Sequence, residues 1–308
     1  MTNNMAFLPA LMLSFAGGQN QNEDRAVCTD RAGLRLLAAF DGCGGVGGRR
    51  YPQLDNHTGA YLASGLYAGC LRDWFLENAP ALPRRDTAGE LAALFAKTAK
   101  AYQQLHLSFA PPAVTGSMVR TLPSTTVIAV HTEHEVTLYW AGDTRGYLLT
   151  KRGLRQLTAD DLALPCDAMD SLYTDAPLSN YLCADRPFTL HEATFALPRE
   201  GILLLATDGA FHGLPTPMHF EALLLDTLCE AATQPQWKAL LQQTISACAA
   251  DDVTLLLQPF GFASYPALRQ HFDKRRRHVR QAYILPAEEA PSDSLLALRS
   301  LWEMYQKE

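Results

Sequence analysis

Four apolar runs, each meeting an aspartate at one end, constrain this chain more than any other feature. Leu34-Arg35-Leu36-Leu37-Ala38-Ala39-Phe40 runs into Asp41-Gly42, Val136-Thr137-Leu138-Tyr139-Trp140 into Ala141-Gly142-Asp143, and Ile202-Leu203-Leu204-Leu205-Ala206 into Thr207-Asp208-Gly209. Asp251-Asp252 stands at the head of the fourth, Val253-Thr254-Leu255-Leu256-Leu257. Runs of this length, bounded by Gly and Asp, read as strands buried in a core. A carboxylate at a strand end is held by a rigid scaffold yet open to solvent, where a hard divalent cation finds oxygen ligands. Several such ends brought together form a cage that like-charge repulsion opposes unless a metal neutralises it. Asn22-Glu23-Asp24 adds a fifth acidic signature near the start of the chain.

The strand-like runs come in adjacent pairs, which argues for antiparallel hairpins rather than alternating βαβ units. Residues 25–30 and 34–40 flank Asp30-Arg31-Ala32-Gly33, a turn composition; 125–131 and 136–141 flank Thr132-Glu133-His134-Glu135, and 146–150 follows closely. Apolar residues at helical spacing predict helices over 58–74 and 87–109, the second carrying Leu91, Leu94, Phe95 and Tyr102. Two more are predicted over 217–229 and 236–248. A block of helices inserted among meandering strands is an α+β pattern.

Length and composition set the class. A chain of 308 residues, 48% apolar and 19% charged, buries a substantial core and is neither disordered nor a membrane bundle. A net charge of −6 argues against broad nucleic-acid binding. Seven cysteines with no Cys-x-x-Cys pair point to reduced thiols in a reducing compartment, so a cytoplasmic protein is expected. The apolar stretch 5–15 lacks a basic lead and contains Pro9, and it is read as the first strand rather than a signal peptide. No run reaches the roughly 18 apolar residues of a membrane span.

The order and content of these blocks resemble the metal-dependent serine/threonine protein phosphatases of the 2C type, in their bacterial form. Where that family opens with Arg-x-x-Asn-Glu-Asp, this chain has Gln19-Asn20-Gln21-Asn22-Glu23-Asp24. Asp41-Gly42-Cys43-Gly44-Gly45 matches the family's Asp-Gly-Met-Gly-Gly, and Pro123-Ser124-Thr125-Thr126 its Gly-Ser-Thr strand. Gly142-Asp143-Thr144-Arg145, Leu157-Thr158-Ala159-Asp160, Thr207-Asp208-Gly209 and Asp251-Asp252-Val253-Thr254 follow in the family's order. The match covers roughly residues 14 to 258.

The resemblance implies a four-layer sandwich: two packed antiparallel β-sheets flanked by helices on both faces. It implies a domain over 1–260 and a C-terminal helical extension over 261–308. It further implies a phosphoprotein phosphatase that hydrolyses phosphoserine and phosphothreonine, opposing a Ser/Thr kinase, with Mn2+ or Mg2+ as cofactor. Two ions would share a bridging hydroxide as nucleophile, so no protein nucleophile is required. Asp41 would bridge them, with the Gly42 carbonyl as a further ligand. Asp208 and Asp251 would hold one ion and Asp24 the other, with Glu23 behind it through water; Asp143 with Asp208 matches a third, weaker position. The competing class is a weak or inactive phosphatase-like module that binds a phosphoprotein or partner through the same surface.

Two departures bear on function. The family's phosphate-holding arginine aligns with Gln19, which lacks a charge-assisted grip; Arg49 and Arg50, in the long segment after Gly48, are the alternative candidates for the phosphate. Cys43 stands where bacterial members carry Met and eukaryotic ones a general-acid His. Arg145 is expected in a structural ion pair, and the histidines at the surface or at helix ends. Beyond Pro259 the pattern ends. Lys274-Arg275-Arg276-Arg277-His278-Val279-Arg280 is the one dense basic run, and Ser292-Asp293-Ser294 is expected to cap a last helix carrying Leu295, Leu298, Leu301, Trp302 and Tyr305. The extension is read either as packing back on the domain or as a docking element for an acidic or phosphorylated partner.

Overall fold

The computed structural model describes residues 8–18, 21–84, 86–107, 119–164, 166–174, 176–290 and 295–308. Its strands are β1 (Leu11–Phe15), β2 (Arg25–Arg31), β3 (Leu34–Gly42), β4 (Arg50–Tyr51), β5 (His57–Thr58), β6 (Ser124–His131), β7 (Glu135–Ala141), β8 (Arg145–Thr150), β9 (Gly153–Gln156), β10 (His191–Ala196), β11 (Gly201–Ala206) and β12 (Val253–Phe260). Its helices are α1 (Gly44–Gly47), α2 (Gly59–Asn78), α3 (Thr87–Tyr102), α4 (Pro217–Glu230), α5 (Gln234–Ser246), α6 (Tyr265–Val279), α7 (Leu285–Glu289) and α8 (Leu295–Tyr305).

Two five-stranded antiparallel sheets carry the fold, in the orders β1-β12-β11-β8-β9 and β10-β7-β6-β3-β2. Their central strands are buried on both faces, which is why they read as continuous apolar runs rather than alternating ones. In β3, Leu37 and Ala39 face the other sheet, meeting Leu203 and Leu205 of β11 and Leu256 of β12. Leu36, Ala38 and Phe40 face outward, onto Tyr67, Leu71 and Phe75 of α2 and Leu91 and Phe95 of α3. On the far side Ile202, Leu204, Leu255 and Leu257 pack under Leu224 of α4, Trp237 of α5 and Phe272 of α6. The result is an α/β/β/α sandwich, as the resemblance implied.

Local signals place most ends. Thr58 caps α2 by accepting from the Tyr61 N–H at 3.1 Å, Asp86 caps α3, and Thr233 and Ser264 cap α5 and α6. α2 runs four residues past the expected end, and α3 stops at Tyr102, where a wider turn over Gln103–Leu107 takes over; residues 108 and 109 lie outside the described residues, as do Gln19 and the expected cap at 292–294. The first strand begins at Leu11, later than expected, and pairs with β12 near the other end of the domain. After β7 the chain crosses between sheets, so β8 pairs with β11 rather than extending the β6–β7 hairpin.

α6 and α8 pack onto the helical layer above the first sheet, with Leu268, Phe272, Val279, Trp302 and Tyr305 in its core. The basic run is spent inside the molecule. Arg275 makes a buried bidentate pair with Glu221 of α4 (2.8 and 2.9 Å) and reaches Glu308; Arg277 pairs with Asp273 (2.8 Å) and Arg280 with Asp226 (3.0 Å). Arg276 lies within ion-pair range of both Asp226 and Asp273. Among the described residues no helix is long and apolar enough to cross a membrane, and all seven cysteines are free thiols.

Candidate active site

Register brings the acidic signatures to one end of the sandwich. Asp41 is the penultimate residue of β3 and lies opposite Thr125 of β6. Arg25 opposite Phe40 sets Asp24, just ahead of β2, beside it. Ala206 opposite Leu255 puts Asp208, just past β11, at the same end as Asp251, just ahead of β12. Asp143 lies in the crossing between sheets, in the turn Gly142-Asp143-Thr144. Gly142 has φ +99°, a left-handed backbone, and a Cβ there would sit 2.4 Å from Thr125 Cγ2, so only glycine makes this turn without strain. Thr125 and Thr144 hydroxyls hydrogen-bond beneath it at 2.5 Å. Gly209 serves a second close approach, its α-carbon lying against the Asp252 carbonyl where a Cβ would come within 2.1 Å of the oxygen.

These carboxylates act on one another. Asp24 is 1% exposed; Thr207 Oγ1 donates to its Oδ2 at 2.8 Å across 183 residues of sequence, while its buried Oδ1 has no partner. Burial, with Asp208 and Asp252 adding repulsion, pushes its carboxyl up to about 8. Asp41 is pushed well above the usual carboxylate range by burial and then by Asp24, Asp208, Asp143 and Asp251. Asp143 rises to about 7 through burial and the charges of Asp208 and Asp160. Asp251 and Glu23 are raised as well, burial leading in both. Among the described residues no three His, Cys, Asp or Glu side chains close into a finished metal shell. The fold supplies instead an all-oxygen, mutually repelling donor set with an orphaned oxygen on Asp24. That is the chemistry a hard divalent cation satisfies.

Above the cluster opens a cavity of about 350 Å3, lined in part by Glu23, Asp251, Asp252, Arg50, Thr58 and Gln21. Glu23 therefore faces the opening, with the Thr58 hydroxyl bonded to its Oε1, while Asp24 is the deeper of the pair. Arg50 stands at this cavity with its Nη1 on the Asn56 carbonyl, 3.1 Å away. Arg49 lies over the Tyr51 ring at 5.5 Å and is not among the residues lining this cavity.

Two contributors escaped the sequence reading as site residues. Asp252 accepts from the Glu23 N–H (2.6 Å) and the Gly17 N–H (3.2 Å), buckling the N-terminal segment onto the head of β12. His212 sits 3.3 Å from Asp208 through Nδ1, four residues on in the turn after β11; only that i,i+4 spacing in sequence hints at it. Burial pulls the His212 ring down, but the bond to Asp208 outweighs it and leaves the ring above its ordinary value. His131 departs from the surface placement expected of the histidines. It is 2% exposed in β6, and burial lowers its ring to about 4.

Arg145 makes the expected ion pair, bonding Asp160 with Nε and Nη2 (3.0 and 2.6 Å) while Ser171 accepts from Nη2 at 2.8 Å. Its guanidinium lies 4.4 Å over the Phe211 ring, anchoring the loop after β9 to the turn that carries Asp208. Cys43 and Arg49 stand at the Cys-x5-Arg spacing used by cysteine-nucleophile phosphatases. The Cys43 thiol is pushed well above its ordinary range by burial, then by Asp41 and Asp143. That environment favours the neutral thiol over the thiolate.

No protein-family model and no curated protein matches the sequence. Solved structures do match. Serine/threonine phosphatase Stp1 from Staphylococcus aureus superposes with a TM-score of 0.61 at 18% identity, over 82% of this chain and 95% of that one. PstP/Ppp of Mycobacterium tuberculosis gives 0.60 at 19% identity, over 82% and 99%. PppA, described as a regulatory component of the type VI secretion system in Pseudomonas aeruginosa, gives 0.60 at 21% identity, over 83% and 99%. Nearly the whole of each neighbour is spanned, and the chain has the fold of the bacterial serine/threonine phosphatases of the 2C type.

Proposed function

We propose that this protein is a metal-dependent phosphatase acting on phosphoserine and phosphothreonine in proteins, in the cytoplasm and in opposition to a Ser/Thr kinase. One observation carries the reading: Asp24, Asp41, Asp143, Asp208 and Asp251 arrive from separate strand ends at one site, on the phosphatase fold, with an unpartnered buried oxygen on Asp24. Asp41, Asp208, Asp251 and Asp24 with the Gly42 carbonyl would hold two Mn2+ or Mg2+ ions, and Asp143 with Asp208 a third. Bound there, such ions supply an acidified water and neutralise the phosphoryl charge. The chain's own residues do the rest. Thr207 and Asp252 hold Asp24 and Glu23 in place, Arg145 and Asp160 fix the loop behind Asp208, and Glu23 and Arg50 shape the entrance. We assign this activity to residues 1–260.

Hydrolysis of p-nitrophenyl phosphate with Mn2+, with and without chelator, tests the proposal. Turnover that needs the metal supports it, and full turnover in chelator overturns the metal assignment. No turnover, with a phosphopeptide still bound, turns the reading to a phosphatase-like binding module.

The substrate's outer phosphate oxygens need a cation. The family's arginine position is Gln19, and Arg50 is the arginine placed at the acidic cavity. Arg50→Ala is expected to raise KM about tenfold to a hundredfold, from a charge-assisted contact worth roughly 1.5–3 kcal/mol, with kcat little changed. Arg49→Ala, beside Tyr51, is expected to leave KM unaltered; steady-state kinetics on both variants, with Gln19→Arg for comparison, decide which group meets the phosphate.

A further inference from the structure

The largest cavity among those described is not the acidic cleft. A groove of about 1070 Å3 lies between the β8–β9 turn, the β10–β11 connection and the C-terminal helix α8. Lys151, Arg152, Arg155 and Arg199 line it, and among the described residues none of their side chains forms an ion pair or hydrogen bond. Of the two carboxylates in the groove, Glu308 is engaged by Arg275, His278 and the Tyr283 hydroxyl, while Glu200, 3.5 Å from a His271 ring that burial holds below its ordinary value, offsets one of the four cations. On a chain of net charge −6, whose dense basic run is consumed by Glu221, Asp226, Asp273 and Glu308, these four cations leave a concentrated excess of positive charge.

We infer that this groove docks an acidic, extended segment of a protein partner; taking that partner as the substrate rests on the phosphatase reading above. Two features favour an acidic peptide over a nucleic acid, and a third sets how the peptide docks. The aromatic residues at the groove, Trp302 and Tyr305, are buried in the core and present no stacking platform. The walls are mixed, with Leu148, Leu154, Leu197 and Pro198 among the charges, which suits alternating apolar and acidic side chains. The outward N–H of Leu154 on edge strand β9 is already donated to the Tyr305 hydroxyl oxygen at 3.2 Å, so recognition falls to side chains rather than to strand addition.

The groove also stands in a defined relation to the acidic site. β8 leaves the crossing turn of Asp143 and ends at Thr150, next to Lys151, and β11 starts just after Arg199-Glu200 and ends at Ala206, two residues before Asp208. Groove and site thus occupy opposite ends of the same two strands, roughly 20 Å apart for six residues. A docked acidic segment must therefore lie at least about six extended residues from the phosphorylated one, and farther along a surface path.

The test is fluorescence anisotropy on the full chain with a labelled peptide of ten glutamates. The triple variant Arg152→Ser/Arg155→Ser/Arg199→Ser is expected to bind about fivefold to a hundredfold more weakly than the parent, with the difference shrinking as salt rises. A control of equal charge, Arg31→Ser/Lys97→Ser/Lys238→Ser, is expected to bind like the parent. Equal weakening in the control, no binding by the parent, or tighter binding of a ten-nucleotide single strand than of the peptide would each overturn the proposal. Because anisotropy needs no turnover, an inactive protein that shows the difference keeps the groove and loses the phosphatase reading. A protein that hydrolyses p-nitrophenyl phosphate but lacks the difference does the reverse.

Discussion

Asp41→Asn and Asp208→Asn are each expected to lower metal-dependent kcat/KM by roughly a hundredfold or more, since at the proposed metal site each would remove a ligand charge and weaken metal affinity and water activation together. The fold is expected to survive. Asp41 is crowded by Asp24, Asp208, Asp143 and Asp251, so neutralising it relieves repulsion. In chelator the Asp41→Asn protein should therefore melt no lower than the parent, while with Mn2+ the parent should gain more in Tm than the variant, because binding to the folded state stabilises by mass action. Melting curves with and without metal, read beside p-nitrophenyl phosphate turnover, separate a lost ligand from a broken fold. A variant that keeps parental activity would remove the residue from the metal site.

The second large effect lies away from the chemistry. Arg275→Met leaves Glu221, fully buried in α4, without its bidentate partner, and breaking a buried pair from one side costs about 3–5 kcal/mol. Tyr305 also donates to Glu221, so the loss reaches α8. For a chain of this size the expected fall in Tm is roughly 6–20 °C. The paired change Glu221→Leu/Arg275→Met, which removes both charges, should recover a large part of it. Turnover of a small substrate below the melting range should be unchanged in all three proteins, since the pair packs the extension and does not line the acidic cavity. A Tm shift under 2 °C for Arg275→Met would mean that water reaches Glu221 and the pair is not structural.

The sequence by itself determined where the central strands and most of the longer helices form, and that carboxylates stand at their ends; it gave no sign of β4, β5, β9 or β10. Apolar runs ending at Asp41, Asp143 and Asp208, the turn at Asp30-Arg31-Ala32-Gly33, and caps such as Thr58 and Asp86 act over a few residues, so neighbours in the chain encode them. The spacing of the acidic blocks also made the resemblance, and with it the sandwich, legible. Tertiary structure decided what those local signals cannot carry. β1 pairs with β12, and β8 leaves the hairpin it follows, because each sheet must bury both faces of its central strands, and that balance is struck across the whole chain. The same long-range pairing brings Thr207 to Asp24 and Asp252 to Glu23, and gathers Glu23, Arg50, Asp251 and Asp252 around one cavity. The basic run shows the difference most plainly. Seven residues dense in positive charge read as a surface for partners, yet Glu221, Asp226, Asp273 and Glu308 neutralise its arginines, three of them from other parts of the fold. A charge is satisfied by whatever lies within a few ångströms in space, and only the folded chain settles what that is.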